Sequence, residues 1–220
     1  MPAFSKILDT FLYKNGEIYL REFHADRVFE TYRHLNSKVS REDIGTIYDS
    51  LTKQLNTEVK SECLVRVLFD PVRPHKHTVE IKDLEPVATP VKLMISEAED
   101  MVSEASQYKF ADRPQWEALL ASKPEGCDDV VLVRNGLLVE TSRFNLFLHD
   151  TEKNLIYTPT LSTGCINGVL RRFALRDGVL TVSDHGEVKV IEKDFSVEDL
   201  GENNLFAGNS VRGLLPAKIL

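Results

Sequence analysis

The sequence has no apolar run approaching the ~20 residues of a membrane-spanning helix, which excludes a helical membrane protein. It is poor in cysteine. Cys63, Cys127 and Cys165 are odd in number and widely spaced, so they form neither a disulfide framework nor a zinc-binding pattern, and a reducing cytoplasm is the simplest compartment. It lacks a cationic excess: 27 Lys and Arg stand against 34 Asp and Glu, a net charge of -7. That argues against a nucleic-acid partner, since phosphate neutralisation needs clustered positive charge. Internal repeats and low-complexity tracts are absent. The opening Met1-Pro2-Ala3-Phe4-Ser5-Lys6 lacks the long apolar stretch of a signal peptide. With 42% hydrophobic and 28% charged residues in 220, the chain has the material for a packed core rather than a disordered segment.

What is present alternates between short strands and helices. Ile7 to Leu20 reads as two strands around Asn15-Gly16, a hairpin signal. A helix is expected from about His24 to Leu35. A second should be capped by Ser40, with an acidic residue three positions on, and should run to about Leu55 with Ile44, Ile47, Tyr48, Leu51 and Leu55 inward. Cys63 to Phe69 reads as a buried strand despite Arg66, with Val79 to Leu84 beside it. Pro86 and Pro90 mark a connection, and the domain boundary is placed there, giving residues 1–86 and 87–220. Beyond it, strands are expected at Val91–Ser96, Asp129–Arg134, Leu137–Glu140, Asn145–His149, Asn154–Tyr157, Val179–Val182 and Val188–Ile191. Helices are expected at Pro114–Ala121 and Gly168–Arg176, the latter ended by Gly178. The sum is an α+β chain with mixed sheets.

Five segments carry groups suited to chemistry. His24-Ala25-Asp26-Arg27 offers a guanidinium, whose planar fork can grip adjacent phosphate oxygens, although a helix arginine is ordinarily solvated. Tyr108-Lys109-Phe110-Ala111-Asp112-Arg113 sets a lysine between aromatics; it is a surface lysine unless its site favours the neutral amine. In Gly136-Leu137-Leu138-Val139-Glu140-Thr141-Ser142-Arg143-Phe144-Asn145-Leu146-Phe147 a glutamate ends an apolar strand, where a buried carboxylate would need a cationic partner. Tyr157-Thr158-Pro159, with Gly164 through Arg171, places Gly168, Val169 and Leu170 at a helix start, whose free N–H groups attract anions. Asn209-Ser210-Val211-Arg212-Gly213, followed by Pro216, forms a polar loop.

These motifs, in this order and spread over almost the whole chain from Leu8, resemble the class IV aminotransferase and aminodeoxychorismate lyase family. The resemblance implies pyridoxal 5'-phosphate as cofactor. Lys109 would be the Schiff-base lysine and the catalytic acid and base. Arg27 and Ser210 would contact the phosphate, with the backbone of Gly168, Val169 and Leu170. Glu140 would pair with the pyridine nitrogen. Thr10, Arg66, Asn209, Val211 and Arg212 are substrate-side candidates, Arg66 and Arg212 for a carboxylate. The implied fold is that of the D-amino acid aminotransferases, two small α/β domains with the cofactor between them, in a homodimer acting on a small amine. The form of the Asn209–Gly213 loop favours a lyase that makes 4-aminobenzoate, a folate precursor, and pyruvate. A transaminase of branched-chain or D-amino acids is the alternative, and a cofactor-binding protein without turnover the third.

Two departures stand out. Little chain precedes Leu8-Asp9-Thr10, so the first strands of the family are missing or this is a short form. The glycine- and arginine-rich stretch that many members carry after the Arg66 strand is replaced by Asp70-Pro71-Val72-Arg73-Pro74-His75-Lys76-His77. His75 and His77 have too few companions for a metal site and are expected to be solvated. Cys127 is expected to be an inert core thiol. The acidic stretch Glu97 to Glu104 is expected to be a solvated surface.

Overall fold

A computed structural model describes residues 5–97, 104–183, 185–201 and 204–220. Of the expected acidic surface, residues 98–103 lie outside the described residues, as do residues 1–4 of the opening segment. The chain separates into two compact units, residues 1–86 with 108–113, and residues 87–107 with 114–220.

In the first unit, β1 (Ile7–Lys14) turns through Asn15-Gly16, both at positive φ, into the short β2 (Glu17–Ile18). An antiparallel sheet runs in the order β2-β1-β3-β4, with β3 at Cys63–Phe69 and β4 at His77–Asp83. Two helices cover one face, α1 (Arg21–His34) and α2 (Arg41–Glu58). Leu20 in the left-handed region turns the chain, so α1 starts three residues before the expected His24. The Ser40 hydroxyl accepts from the Asp43 N–H while the Asp43 carboxylate accepts from the Ser40 N–H, a reciprocal cap. The inward residues of α2 are the five expected. They pack with Phe11, Tyr13, Val65, Val67 and Phe69 from the odd-numbered positions of β1 and β3. Burial along β3 alternates, with Val65, Val67 and Phe69 toward the helices and Arg66 on the other face, its side chain 38% exposed. Pairing with β3 also starts β4 at His77, two residues before the expected Val79.

Although it follows Pro86 in the sequence, the segment 108–113 belongs with this unit. The Lys109 carbonyl accepts from the Leu8 N–H at 2.9 Å, the Ala111 N–H donates to the Lys6 carbonyl at 2.8 Å, and Phe110 bridges to Ile7. Backbone pairing to the edge of β1 draws the segment in.

The second unit is built on a mixed sheet of β5 (Val91–Glu97), β6 (Asp129–Arg134), β7 (Leu137–Thr141), β8 (Asn145–Asp150), β9 (Leu155–Thr158), β10 (Val179–Val182), β11 (Gly186–Glu192), β12 (Asn204–Asn209) and β13 (Gly213–Ile219). Their order is β10-β11-β9-β8-β12-β13-β5-β6-β7. A further pair, Glu140 with Asn145, joins β7 back to β8 and closes the strands from β8 to β7 into a ring. Val91, Leu93, Val131, Val133, Leu138, Leu146, Leu148 and Phe195 cluster together. On other faces α4 (Val169–Asp177) packs Leu170 and Ala174 on Phe147 and Ile156, while Trp116 of α3 (Pro114–Ser122) packs on Leu132 and Val139. Covered on both faces, β8 is buried along its whole length. Strands β12 and β13 were not expected from the sequence, which reads there only as a polar loop. The loop is the turn between them, and Pro216 lies in β13 just before its parallel pairing with β5 begins at Ala217. Among the described residues no helix is long and apolar enough to cross a membrane.

Candidate active site

In the first unit Arg27, one of the expected residues, lies on a buried carboxylate. Asp9 of β1 is fully buried, and His24 Nδ1 lies 3.0 Å from each of its oxygens. The Tyr48 hydroxyl donates to it and the Arg27 guanidinium pairs with it. Burial alone would raise the Asp9 pKa, but the charges of His24 and Arg27 and the hydrogen bonds from His24 and Tyr48 outweigh it and hold the carboxyl well below its usual range. Burial lowers the His24 pKa against the pull of Asp9, with Arg27 and Lys109 adding to the lowering. Its Nδ1 is the ring nitrogen that faces the Asp9 carboxylate. Arg27 is not a solvated helix arginine. It is 5% exposed, and its Nε is buried without a protein partner, a donor left over for an external acceptor.

Lys109 is half-buried, and its charge is felt at His24. Tyr108 stacks on His34 with ring centroids 4.2 Å apart, and Phe110 packs against the core. Thr10 and Arg66 are direct cross-strand partners on the open sheet face, so two substrate-side candidates sit together. Arg66 has a buried Nε without a partner, and its NH1 is 4.0 Å from Glu80.

Arg27→Ala is expected to act twice. It removes the free Nε and strips a buried carboxylate of its cation. Breaking a buried pair typically costs about 3–5 kcal/mol, so urea unfolding of the apo-protein should show a fall of that order together with weaker cofactor binding. An unchanged unfolding midpoint would refute the buried pairing.

In the second unit, Glu140 is 4% exposed, not solvated, and its Oε2 accepts the Ile166 N–H at 2.9 Å. Asn145, its pair across the ring closure, donates from Nδ2 to the Ile166 carbonyl at 2.9 Å. The two side chains thus hold both polar groups of Ile166 and fix the loop that leads into α4. Gly168 is the N-cap of α4, and no side chain caps the helix. The N–H groups of its first turn, Val169 and Leu170, have no intrahelical acceptor. The Gly168 requirement is tighter than expected, and it arises within the protein: a Cβ there would lie 2.0 Å from Asn145 Oδ1. Gly168→Ala keeps an allowed backbone, φ -67 and ψ 155, but must evict the Asn145 amide. The expected cost is about 1–3 kcal/mol in urea unfolding, the range for overpacking. A neutral result would mean that Asn145 is not fixed.

Arg171, 2% exposed, donates from Nη2 and Nε to the Pro159 carbonyl at 2.9 and 3.2 Å and from Nη1 to Asn167 at 3.2 Å, and pairs with Glu192. It ties the Thr158-Pro159 segment to the helix start. Ser210 is buried in the β12–β13 turn, where Asn209 Oδ1 accepts from the N–H groups of Val211 and Arg212 at 3.0 and 2.9 Å. Burial pushes the Cys165 thiol up to about 11, so it is protonated at pH 7. Sequence reasoning missed two buried acids, Asp9 as a hub and Asp129. Asp9 carried a signal, an acid inside an apolar strand.

This mixed-sheet α+β architecture is found in several solved proteins. A candidate amino-acid aminotransferase from Mesorhizobium loti is similar with a TM-score of 0.77 at 23% identity, over 98% of this chain and 99% of that one. A candidate 4-amino-4-deoxychorismate lyase from Legionella pneumophila has a TM-score of 0.72 at 18% identity, over 98% and 83%. A hypothetical aminotransferase from Mycobacterium tuberculosis, solved in its PLP-bound form, has a TM-score of 0.76 at 14% identity, over 98% and 81%. No curated protein matches the chain significantly. The amino-transferase class IV family profile matches residues 6–220, and the chain belongs to that family.

Proposed function

We propose that this chain is a pyridoxal 5'-phosphate enzyme that eliminates pyruvate from 4-amino-4-deoxychorismate to give 4-aminobenzoate. The observation that carries the cofactor reading is the buried Glu140 carboxylate, held in place by the Ile166 N–H. A carboxylate withdrawn from water is stabilised by a cation beside it, and a protonated pyridine nitrogen is a cation of the right kind. The orphaned Arg27 Nε in the first unit and the uncapped start of α4 in the second are each suited to an anion.

Bound pyridoxal phosphate supplies an aldehyde that takes up amines and a ring that accepts electron density. Lys109 would furnish the amine that holds the cofactor and would remove and return protons as acid and base. Glu140 holds the proton on the pyridine nitrogen. Arg27, Ser210 and the N–H groups of Val169 and Leu170 are the groups that would hold its phosphate. Arg66 and Arg212 are the candidates for the substrate carboxylates, and Thr10, Asn209 and Val211 the further substrate-side candidates. Loss of a ring proton and departure of the enolpyruvyl group, which becomes pyruvate on protonation, leave an aromatic product.

The lyase assignment is supported by the sequence of the Asn209–Gly213 loop, which resembles that of lyase-type members of the family. A lyase needs no second substrate, whereas a transaminase stalls after one turnover until a 2-oxo acid arrives. The test supplies aminodeoxychorismate alone and follows pyruvate over many turnovers. Sustained release supports the lyase. No pyruvate, with a single-turnover shift by an amino acid that 2-oxoglutarate reverses, establishes the transaminase instead.

A further inference from the structure

We propose that Asp129 is a positioning residue that sets the Glu140 carboxylate and, through the same turn, the Ser210 loop. The inference rests on the reading of Glu140 as partner of the pyridine nitrogen. Asp129 opens β6 and is fully buried. Its Oδ1 accepts from the Ser142 hydroxyl at 2.6 Å and from the Val130 N–H at 2.8 Å. Its Oδ2 accepts from the Thr141 hydroxyl at 3.0 Å and from Arg143 Nε at 3.3 Å. Three successive side chains, immediately after Glu140, thus converge on one carboxylate.

The turn has little freedom left. The Thr141 hydroxyl donates to Asp129 while accepting from the N–H groups of Phe144 at 3.0 Å and Arg143 at 3.3 Å. The Thr141 N–H donates to the Phe144 carbonyl at 3.0 Å. This closed turn is what brings Glu140 opposite Asn145, and those two side chains hold Ile166. On the other side, Asn209 Nδ2 donates to the Arg143 carbonyl at 3.2 Å, and the same Asn209 shapes the turn that carries Ser210. Two separate parts of the proposed cofactor site are referenced to one buried acid.

An amide cannot replace it. In D129N, either orientation of the new side chain would point an NH2 at donors: Ser142 and the Val130 N–H, or Thr141 and Arg143. The Thr141 hydroxyl cannot reverse, because its acceptor capacity is already taken by two backbone N–H groups.

The experiment compares the wild type with D129N, S142A, E140Q and the D129N/E140Q double variant. Three quantities are read: the urea midpoint of the apo-protein, the affinity for pyridoxal phosphate by titration, and the pH midpoint of the absorbance of the bound cofactor. D129N and S142A should bind the cofactor about tenfold more weakly, the loss of roughly one hydrogen bond to a charged group. Both should move the absorbance midpoint in the direction that E140Q moves it, and D129N should shift that midpoint no further in the E140Q background. S142A removes one donor and leaves the acid in place, so it carries the test if D129N does not fold. A lowered urea midpoint with an unmoved absorbance midpoint would reduce Asp129 to a structural residue and overturn the proposal, as would full additivity with E140Q. An E140Q protein whose absorbance titration matches the wild type would instead remove the Glu140 reading, and this inference with it.

Discussion

Lys109→Ala is expected to abolish sustained turnover while leaving the fold intact. The structural work of this segment is done by its backbone: the Lys109 carbonyl accepts from Leu8, Ala111 donates to Lys6, and Phe110 bridges to Ile7. The flanking rings, Tyr108 on His34 and Phe110 in the core, are untouched by the substitution. The backbone pairing and the flanking rings survive the substitution, and the amine is lost. Loss of a positioned acid and base alone lowers rates by about 10²–10⁴-fold, and loss of the amine that carries the cofactor adds to it. The comparison is kcat at saturating cofactor, with circular dichroism as the control for fold. Borohydride reduction of the wild type, followed by peptide mapping, should place the adduct on the peptide holding Lys109. An adduct on another lysine, or turnover within tenfold of the wild type in the variant, would defeat the assignment.

Glu140→Gln should retain fold and cofactor and lose most of its activity. The amide oxygen can still accept the Ile166 N–H, so the loop into α4 keeps its anchor. What disappears is the negative charge. An amide cannot hold a proton on a ring nitrogen, and the stabilisation lost is on the scale of a charged hydrogen bond, ~1.5–3 kcal/mol. That corresponds to roughly a tenfold to hundredfold fall in kcat at equal cofactor occupancy. Equal turnover of variant and wild type at equal occupancy would rule out the role. Asn145→Ala offers the contrast, since it releases the Ile166 carbonyl without touching the charge.

Much of this protein was legible in its sequence because the determining interactions are local. The cap at Ser40 and the inward row from Ile44 to Leu55 follow from helical periodicity and from donors left free at a helix start. Asn15-Gly16 and Asn135-Gly136 supply the positive φ angles that tight hairpins need. The order of the motifs sufficed to suggest the family. Tertiary structure alone decided which charges are buried. Arg27 looks like any helix arginine until Asp9, eighteen residues earlier, is folded beneath it. Asp129 looks like a solvated strand end until a hairpin brings Thr141, Ser142 and Arg143 onto it. Strands β12 and β13 were hidden for the same reason, since their place is set by neighbours far away in sequence, β8 and β5, and not by their own pattern. Periodicity reports the face a residue shows; the desolvation of a charge depends on every element packed around it, and no local pattern records that.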